Sequence, residues 1–402
     1  MNKLNSALEK LLLFNFFVFV LFFYHSKLLV KIILGVGMAI FILINILELL
    51  AARKKKISLS DRFKYLSQNR LLKPVSIFLF SAVISTIFSI EPIHSQRVLF
   101  ERFVPYFLFF MLGCYLAKFR KGIIILTILF ITNGVILGIA GIREYFYSPV
   151  AGRLYYLFHS PFNFTPFLLF FLPLSFAIAF FAKNKFLRLL AAASLITWAL
   201  CFYWNNSRAV WLAVPIALLV VTFLKSKRLA VIFLIIFILI FSLLSVSFKE
   251  RVSTVLDTLT WGGRLELYKS AVKIYKDFPV FGAGLGEYEK LLYKYAEYSP
   301  TQVNSKKGIH LHAHNTYLEI AANMGTVGVL SFVGIFVVFF FILLRNKPLW
   351  KKRPAEEQAI LLGLSASILA SLIVAFATTI IIVGVQDPAI FWFFFGVASA
   401  LL

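Results

Sequence analysis

The chain has 402 residues, of which 61% are hydrophobic and only 14% are charged. A soluble domain carries roughly 25% charged residues, so this composition excludes a globular protein in water and predicts a chain embedded in lipid. The formal charge of +24 lies in short basic clusters between apolar runs. Because that is the pattern of cytoplasmic loops, it excludes nucleic acid as a partner.

The apolar runs predict an all-α polytopic membrane protein of about twelve transmembrane helices, since a spanning helix needs about 20 apolar residues. The first run resembles a signal sequence, but no small-residue cleavage site follows it, so it is interpreted as a membrane anchor. The predicted spans are 8–26, 28–51, 74–91, 103–118, 122–142, 161–182, 186–204, 209–224, 229–248, 317–344, 358–384 and 388–402.

The distribution of Lys and Arg predicts the orientation of these spans. With a cytoplasmic N-terminus, 24 of the 41 basic residues fall on the cytoplasmic side, and the short loops on the other side hold seven. The remaining ten lie in the long segment 249–310, where the positive-inside rule loses force. Both termini are therefore expected in the cytoplasm.

The long hydrophilic segment divides the chain into three parts. We expect nine spans in residues 1–248, an outside loop with short helices in 249–316, and three spans in 317–402. Within the loop, apolar residues recur at helical spacing and predict an amphipathic helix from Arg264 to Lys276.

Glycines mark two further places. Gly282, Gly284 and Gly286 alternate along the loop, which predicts a tight turn with a close backbone approach. No strand precedes them and no Lys-Ser/Thr follows, so a nucleotide-phosphate loop is not indicated. Gly325 and Gly328 lie inside the tenth span, where small residues favour close helix packing.

Three arginines on the outside stand out because that side holds few charges. Arg208 opens a span directly after a polar stretch, and a charge at membrane depth marks a pathway or substrate site unless it only snorkels to the interface. Arg264 opens the amphipathic helix, where free N–H groups and the guanidinium favour phosphate, although a solvated loop charge is an alternative. Arg153 follows Gly152 and is more simply explained as a surface charge.

Three histidines alternate in the run His310-Leu-His312-Ala-His314. A strand would place them on one face and suggest zinc, but both cysteines lie in distant spans and no fourth ligand is evident. His314 is instead a candidate general base. Asn315 follows it and is a good helix N-cap.

These motifs resemble those of bacterial O-antigen ligases. His314-Asn315 is followed, after nine residues, by the run 325–328 (Gly-Thr-Val-Gly), and the run 206–212 (Asn-Ser-Arg-Ala-Val-Trp-Leu) lies at an outer helix end. Gly263-Arg264 with the run 277–286 resembles the segment before the family's catalytic His, and 157–164 does so more loosely. Ala209 replaces a common Gly, and His310 and His312 are additional to the pattern.

The resemblance implies transfer of a glycan from undecaprenyl diphosphate to a sugar hydroxyl of the lipid A core, with inversion and without metal or cofactor. It implies an active site on the periplasmic face of the bacterial inner membrane. Arg208, Arg264 and His314 would be catalytic, and Arg153 and Asn315 would also contact the substrate. Membrane lipids are the other expected partners.

Two other functions fit part of the pattern. An O-antigen polymerase joins two lipid-linked chains, so its donor site would look the same. A small-anion transporter would use the outside arginines as a vestibule, but transporters usually place charges near mid-membrane and often carry inverted repeats, and neither is visible here. The absence of a large C-terminal soluble extension favours a ligase over the protein-modifying members of the superfamily.

Overall fold

A computed structural model describes residues 2–22, 27–55, 68–147, 161–205, 207–243, 264–296, 312–383 and 386–402. All regular elements in these ranges are helical, which confirms the predicted all-α class. The helices are α1 (Asn2–Phe22), α2 (Lys27–Lys55), α3 (Leu72–Ile87), α4 (Pro92–Val98), a π-helical turn (Leu99–Phe103), α5 (Val104–Leu116), α6 (Arg120–Tyr147), α7 (Pro161–Phe181), α8 (Lys185–Trp204), α9 (Arg208–Lys225), α10 (Lys227–Leu243), α11 (Arg264–Asp277), α12 (Glu287–Tyr295), α13 (Thr316–Arg345), α14 (Lys347–Trp350), α15 (Ala355–Val374) and α16 (Gln386–Ala400).

Seven helices in the described part of the chain are long and apolar enough to cross a membrane. Three more apolar helices are shorter, at Leu72–Ile87, Thr165–Phe181 and Pro388–Ala400. The chain is therefore a multi-helix membrane protein. The total of twelve spans and the three-part division at 248 and 316 stay predictions.

Two helix boundaries differ from those predicted by about ten residues. The fourth helical run begins at Pro92 rather than at 103, because Pro suits the first turn of a helix and Arg97 pairs with Glu101 at 2.7 Å on its exposed face. It continues through the π-helical turn, where the N–H of Val104 bonds to the carbonyl of Leu99. The next residue is Pro105, which has no N–H for an α-helical bond.

The eleventh predicted span, 358–384, is too long at its C-terminal side, since α15 ends at Val374. The chain then turns, and the carbonyls of Ala375 and Thr378 both accept the N–H of Thr316, at 2.8 and 3.0 Å. The backbone that would have extended α15 instead bonds to the start of α13.

Small residues allow the closest helix contacts. Helices α5 and α16 cross at Gly113 and Gly396, and a Cβ on either glycine would overlap a carbonyl of the other helix, that of Phe393 or of Phe110. Helices α7 and α15 approach similarly at Gly363, where a Cβ would lie 2.9 Å from the Cα of Leu174. Close backbone approach gives dispersion contact that compensates for the weak hydrophobic drive between helices in lipid.

Four of the basic segments predicted as cytoplasmic meet at one end of the helix bundle, here called the basic end (118–121, 183–188, 225–228 and 345–353). Glu356 accepts the backbone N–H groups of Lys183 and Asn184, at 3.2 and 3.0 Å. Glu357 pairs with Arg120 at 3.5 Å and with Arg353 at 3.1 Å. The structure thus places these four segments on one side, as the charge pattern requires, and their cytoplasmic location stays a prediction.

Candidate active site

The opposite end of the bundle, here called the site end, contains the start of α13. Asn315 caps this helix by accepting the N–H of Leu318 through Oδ1 at 3.1 Å, which confirms the predicted N-cap. The N–H of Thr316 is shared between the carbonyls of Ala375 and Thr378, and these two hydrogen bonds hold the same turn from the other side. The backbone that carries His314 is therefore fixed immediately on its C-terminal side.

His314 has a backbone conformation that few non-glycine residues adopt. Its φ is +48°, in the left-handed region, where a non-glycine residue is uncommon and the surroundings must compensate for the strain. The hydroxyl of Tyr268, on α11, donates to the carbonyl of His314 at 3.4 Å and lies 3.3 Å from that of Phe376. One phenol thus connects α11, His314 and the turn after α15.

The imidazole of His314 is neutral at pH 7. Burial, then the positive charge of Arg264 and then His312 lower the pKa of His314 to about 4, while Glu319 acts in the opposite direction. A neutral imidazole has a free lone pair, so it can accept a proton from a hydroxyl.

Arg264 is the first residue of α11, as the amphipathic pattern predicts. It lies close enough to act electrostatically on both His314 and Tyr268. Its charge adds to burial in lowering the pKa of His314, and it opposes the burial that raises the pKa of Tyr268. The buried face of α11, with Leu267, Ala271 and Ile274, packs on the small core that α11 and α12 share with α13. This packing sets the position of the Arg264 side chain relative to α13.

Arg208 is placed at the same end by the antiparallel packing of α9 on α15. Lys225, at the end of α9, donates to Gln358 near the start of α15 at 2.9 Å, so Arg208 lies where α15 ends. Trp211 ties the first turn of α9 to α8 through a bond from its indole N–H to the carbonyl of Phe202, at 2.7 Å. The structure thus brings Arg264 and His314 into electrostatic range and places Arg208 at the same end of the bundle.

Arg153 and His310 lie outside the described residues. His312 lies 3.0 Å from Glu319, measured from Nδ1 to Oε1. The zinc alternative needed an extended run of three histidines, and the left-handed backbone at His314 interrupts it. In the described ranges no three His, Cys, Asp or Glu residues are grouped so that they could hold a metal ion.

The glycine run after α11 forms the predicted tight turn. Gly282, Gly284 and Gly286 have φ values of 74°, 116° and 79°. A Cβ on Gly282 would overlap the backbone of Asn323 in α13. The N–H groups of Ala283 and Gly284 donate to the carbonyls of Ala322 and Asn323, at 2.9 and 3.0 Å.

The expectation that Gly325 and Gly328 serve helix packing is wrong for Gly325. This residue has φ 63° and ψ −161° and interrupts α13. Beyond the break, the N–H groups of Thr326 and Val327 donate to the carbonyls of Pro279 and Val280, at 2.8 and 3.2 Å. The loop therefore supplies hydrogen-bond partners to the interrupted helix. In lipid such partners must come from the protein itself, because no water is available.

The same loop is held on its other side by α3 and α4. The N–H of Ile90 donates to the carbonyl of Ala283 at 3.0 Å, and the hydroxyl of Ser95 donates to that of Leu285 at 3.1 Å. Glu287, fully buried, lies 2.7 Å from Nδ1 of His94. The loop is thus fixed between the N-terminal helices and α13.

Glu319 is a residue of this site that sequence reasoning missed. Its side chain is nearly fully buried beside His312 and Ala313. The signal was present, because Glu319 is the single charged residue of the predicted span 317–344. A charge inside an apolar run marks a functional site by default.

One comparison with known families bears on this arrangement. Residues 192–333 match the family model described as O-antigen ligase. The match covers about a third of the chain and confirms the predicted resemblance to O-antigen ligases over this segment. A comparison with curated proteins gives no match. The O-antigen ligase segment includes Arg208, Arg264, His314 and the break at Gly325, and Arg153 lies before it.

Proposed function

We propose that the protein transfers an O-antigen or similar glycan from undecaprenyl diphosphate to a sugar hydroxyl of the lipid A core, on the periplasmic face of the inner membrane. The observation that carries the proposal is the proximity of Arg264 to His314, inside the O-antigen ligase segment. A cation for the leaving diphosphate and a neutral base for the acceptor are the two groups that such a transfer needs.

In this proposal the arginines bind the diphosphate. As the bond from the anomeric carbon to the phosphate oxygen breaks, negative charge grows on the diphosphate, and Arg208 and Arg264 stabilise it. A charge-assisted hydrogen bond of this kind contributes about 1.5–3 kcal/mol. Arg153 is a further phosphate contact, and Asn315 contacts the substrate through its amide N–H groups because its oxygen caps α13.

His314 is the proposed general base. The acceptor hydroxyl loses its proton to the imidazole as its oxygen attacks the anomeric carbon from the side opposite the diphosphate, which inverts that centre. Undecaprenyl diphosphate departs with the bonding electron pair. Since the diphosphate bond already carries the driving energy, the reaction needs no nucleotide. The arginines stabilise the leaving diphosphate, so no metal is needed for that task.

The low pKa of free His314 fits this role once the donor is bound. Burial, and then the positive charge of Arg264, disfavour the imidazolium in the empty site. A diphosphate bound at Arg264 adds negative charge next to the imidazole, and a nearby opposite charge favours the protonated form. Donor binding should therefore make His314 a stronger base.

The test is transfer by the purified protein in lipid nanodiscs, with undecaprenyl-diphosphate-linked oligosaccharide as donor and lipid A–core as acceptor. We expect attachment to the core without ATP and in the presence of EDTA. Elongation of the lipid-linked glycan without attachment would assign the protein as a polymerase. Anion flux in the absence of either product would assign it as a transporter, and loss of transfer with EDTA would contradict the metal-independent mechanism.

A further inference from the structure

The carboxylate of Glu319 binds the two residues that precede His314. Oε2 accepts the N–H of Ala313 at 2.6 Å, and Oε1 lies 3.0 Å from Nδ1 of His312. Glu319 is 4% exposed and Ala313 is fully buried. Both oxygens of a buried carboxylate are thus used on the short run that leads into His314.

The general preference for an acidic residue near a helix N-terminus does not explain this geometry. A carboxylate in the first turn is stabilised by the helix dipole, and it can be so while exposed to water. Glu319 is instead buried, and both of its bonds reach back past the N-cap Asn315. Burial of a charge is costly, so the contacts with Ala313 and His312 need a reason of their own.

The backbone of His314 supplies that reason. A non-glycine residue at φ +48° persists only where its neighbours fix it. Asn315 is fixed on one side by its capping bond, and Ala313 is fixed on the other by Glu319. The carboxylate thereby completes the restraint on the left-handed turn and on the direction in which the imidazole leaves the backbone.

We infer that Glu319 is a positioning residue for His314, acting through Ala313 and His312 rather than by touching the substrate. The inference rests on the proposed role of His314 as general base. A misplaced base loses catalysis while the arginines still bind the donor, because a displacement of about 1 Å can cost on the order of 100-fold in rate.

Three variants test the inference in nanodiscs, with single-turnover transfer and donor affinity measured separately. Glu319→Ala removes both bonds and should lower the transfer rate by about 10- to 100-fold, with donor affinity within about threefold of the unaltered protein. Glu319→Gln keeps an oxygen for Ala313 and should lower the rate less, by about 3- to 10-fold. The control is Glu266→Gln, an acid on α11 that pairs with Lys269 at 3.0 Å and should leave the rate unchanged.

A double variant separates positioning from a purely structural role. If Glu319 acts through His314, adding Glu319→Ala to His314→Asn should not lower the residual rate further, since groups that act as a unit are non-additive. A further loss in the double variant would overturn the inference. So would rates within twofold of the unaltered protein for both Glu319 variants, or for Glu319→Gln alone if Glu319→Ala does not fold.

The inference and the proposed function fail differently. Full transfer by His314→Asn would contradict both the proposed role of His314 as general base and the positioning role of Glu319. Loss of transfer in His314→Asn, with unchanged rates in the Glu319 variants, would overturn the positioning role alone.

Discussion

At the scale of single residues, the proposed chemistry depends on the type of cation at position 264. The Arg guanidinium can donate two parallel hydrogen bonds to a phosphate, whereas the Lys ammonium acts as a point charge. Arg264→Lys should therefore reduce transfer by about tenfold or more, although the charge is kept. The matched control is Arg97→Lys at the same end of the bundle, where the exposed Arg97 pairs only with Glu101 among the described contacts. Equal activity of the two variants would mean that Arg264 is only a solvated charge at the start of α11.

The pH dependence tests His314 directly. Activity should fall at low pH as the imidazole becomes protonated, with a midpoint in kcat/KM near the free pKa of about 4. Because bound diphosphate raises that pKa, the acid limb of kcat should lie at higher pH than the limb of kcat/KM. The reverse order of the two limbs would contradict a base that lies beside the diphosphate.

His314→Asn is the suitable variant for these profiles. Asn tolerates the left-handed backbone better than other non-glycine residues, so the turn should be retained while the imidazole is lost. We expect the transfer rate to fall by about 10²- to 10⁴-fold to a small residual rate, with the melting temperature in detergent nearly unchanged. Ala at the same position would lose the base and also meet backbone strain.

At the scale of elements, the break in α13 gives the sharpest structural prediction. Gly325 adopts a conformation that is essentially restricted to glycine, and a Cβ there would overlap the carbonyl of Val280. Gly325→Ala should therefore lower the melting temperature by roughly 5 °C or more and reduce transfer, because the loop that follows α11 is displaced. Gly334→Ala is the control in the same helix: its Cβ meets nothing within 4 Å, so the melting temperature should be equal or higher.

The sequence predicted helices better than it predicted interruptions. The apolar periodicity of α11 and the capping residue Asn315 are local signals, and both were confirmed. The break at Gly325 was missed because helical hydrophobicity continues on both sides of it. Its cause is the loop at 279–284, more than 40 residues away in the chain, which supplies the hydrogen-bond partners.

The candidate site was predictable only in part for the same reason. Arg208, Arg264 and His314 were recognised as charged or titratable residues in unusual sequence surroundings. Span counting predicted a common side for them, but which of them come close together follows from helix packing, which hydropathy does not encode. Glu319 was not among the predicted site residues, although a single charge inside an apolar run is a signal that the sequence carries.

At the scale of the whole molecule, the exposed surface is that of a protein in lipid. Helix α10 packs mainly on α9 and leaves large apolar side chains open, among them Val231, Ile238 and Leu239, each 57–58% exposed. A soluble monomer rarely exposes a contiguous apolar surface of this kind. Acyl chains would cover it in a bilayer.

Cysteine labelling can test the orientation of the bundle with little background. The two native cysteines, Cys114 and Cys201, are both buried. Lys294→Cys lies at the site end and should react with a membrane-impermeant maleimide added to cells whose outer membrane alone is permeable. Lys352→Cys lies at the basic end and should react only after the inner membrane is opened. Labelling in the opposite order would reverse the proposed sidedness.

The hydrogen bonds between the glycine loop and the interrupted helix have a mechanical consequence. Lifting this loop away from α13 would leave at least four backbone N–H groups without partners, those of residues 283, 284, 326 and 327. In surroundings poor in water, each orphaned donor costs on the order of 1–3 kcal/mol. The loop therefore stays packed on α13 along residues 322–327, and a lipid-linked chain must reach His314 without displacing it.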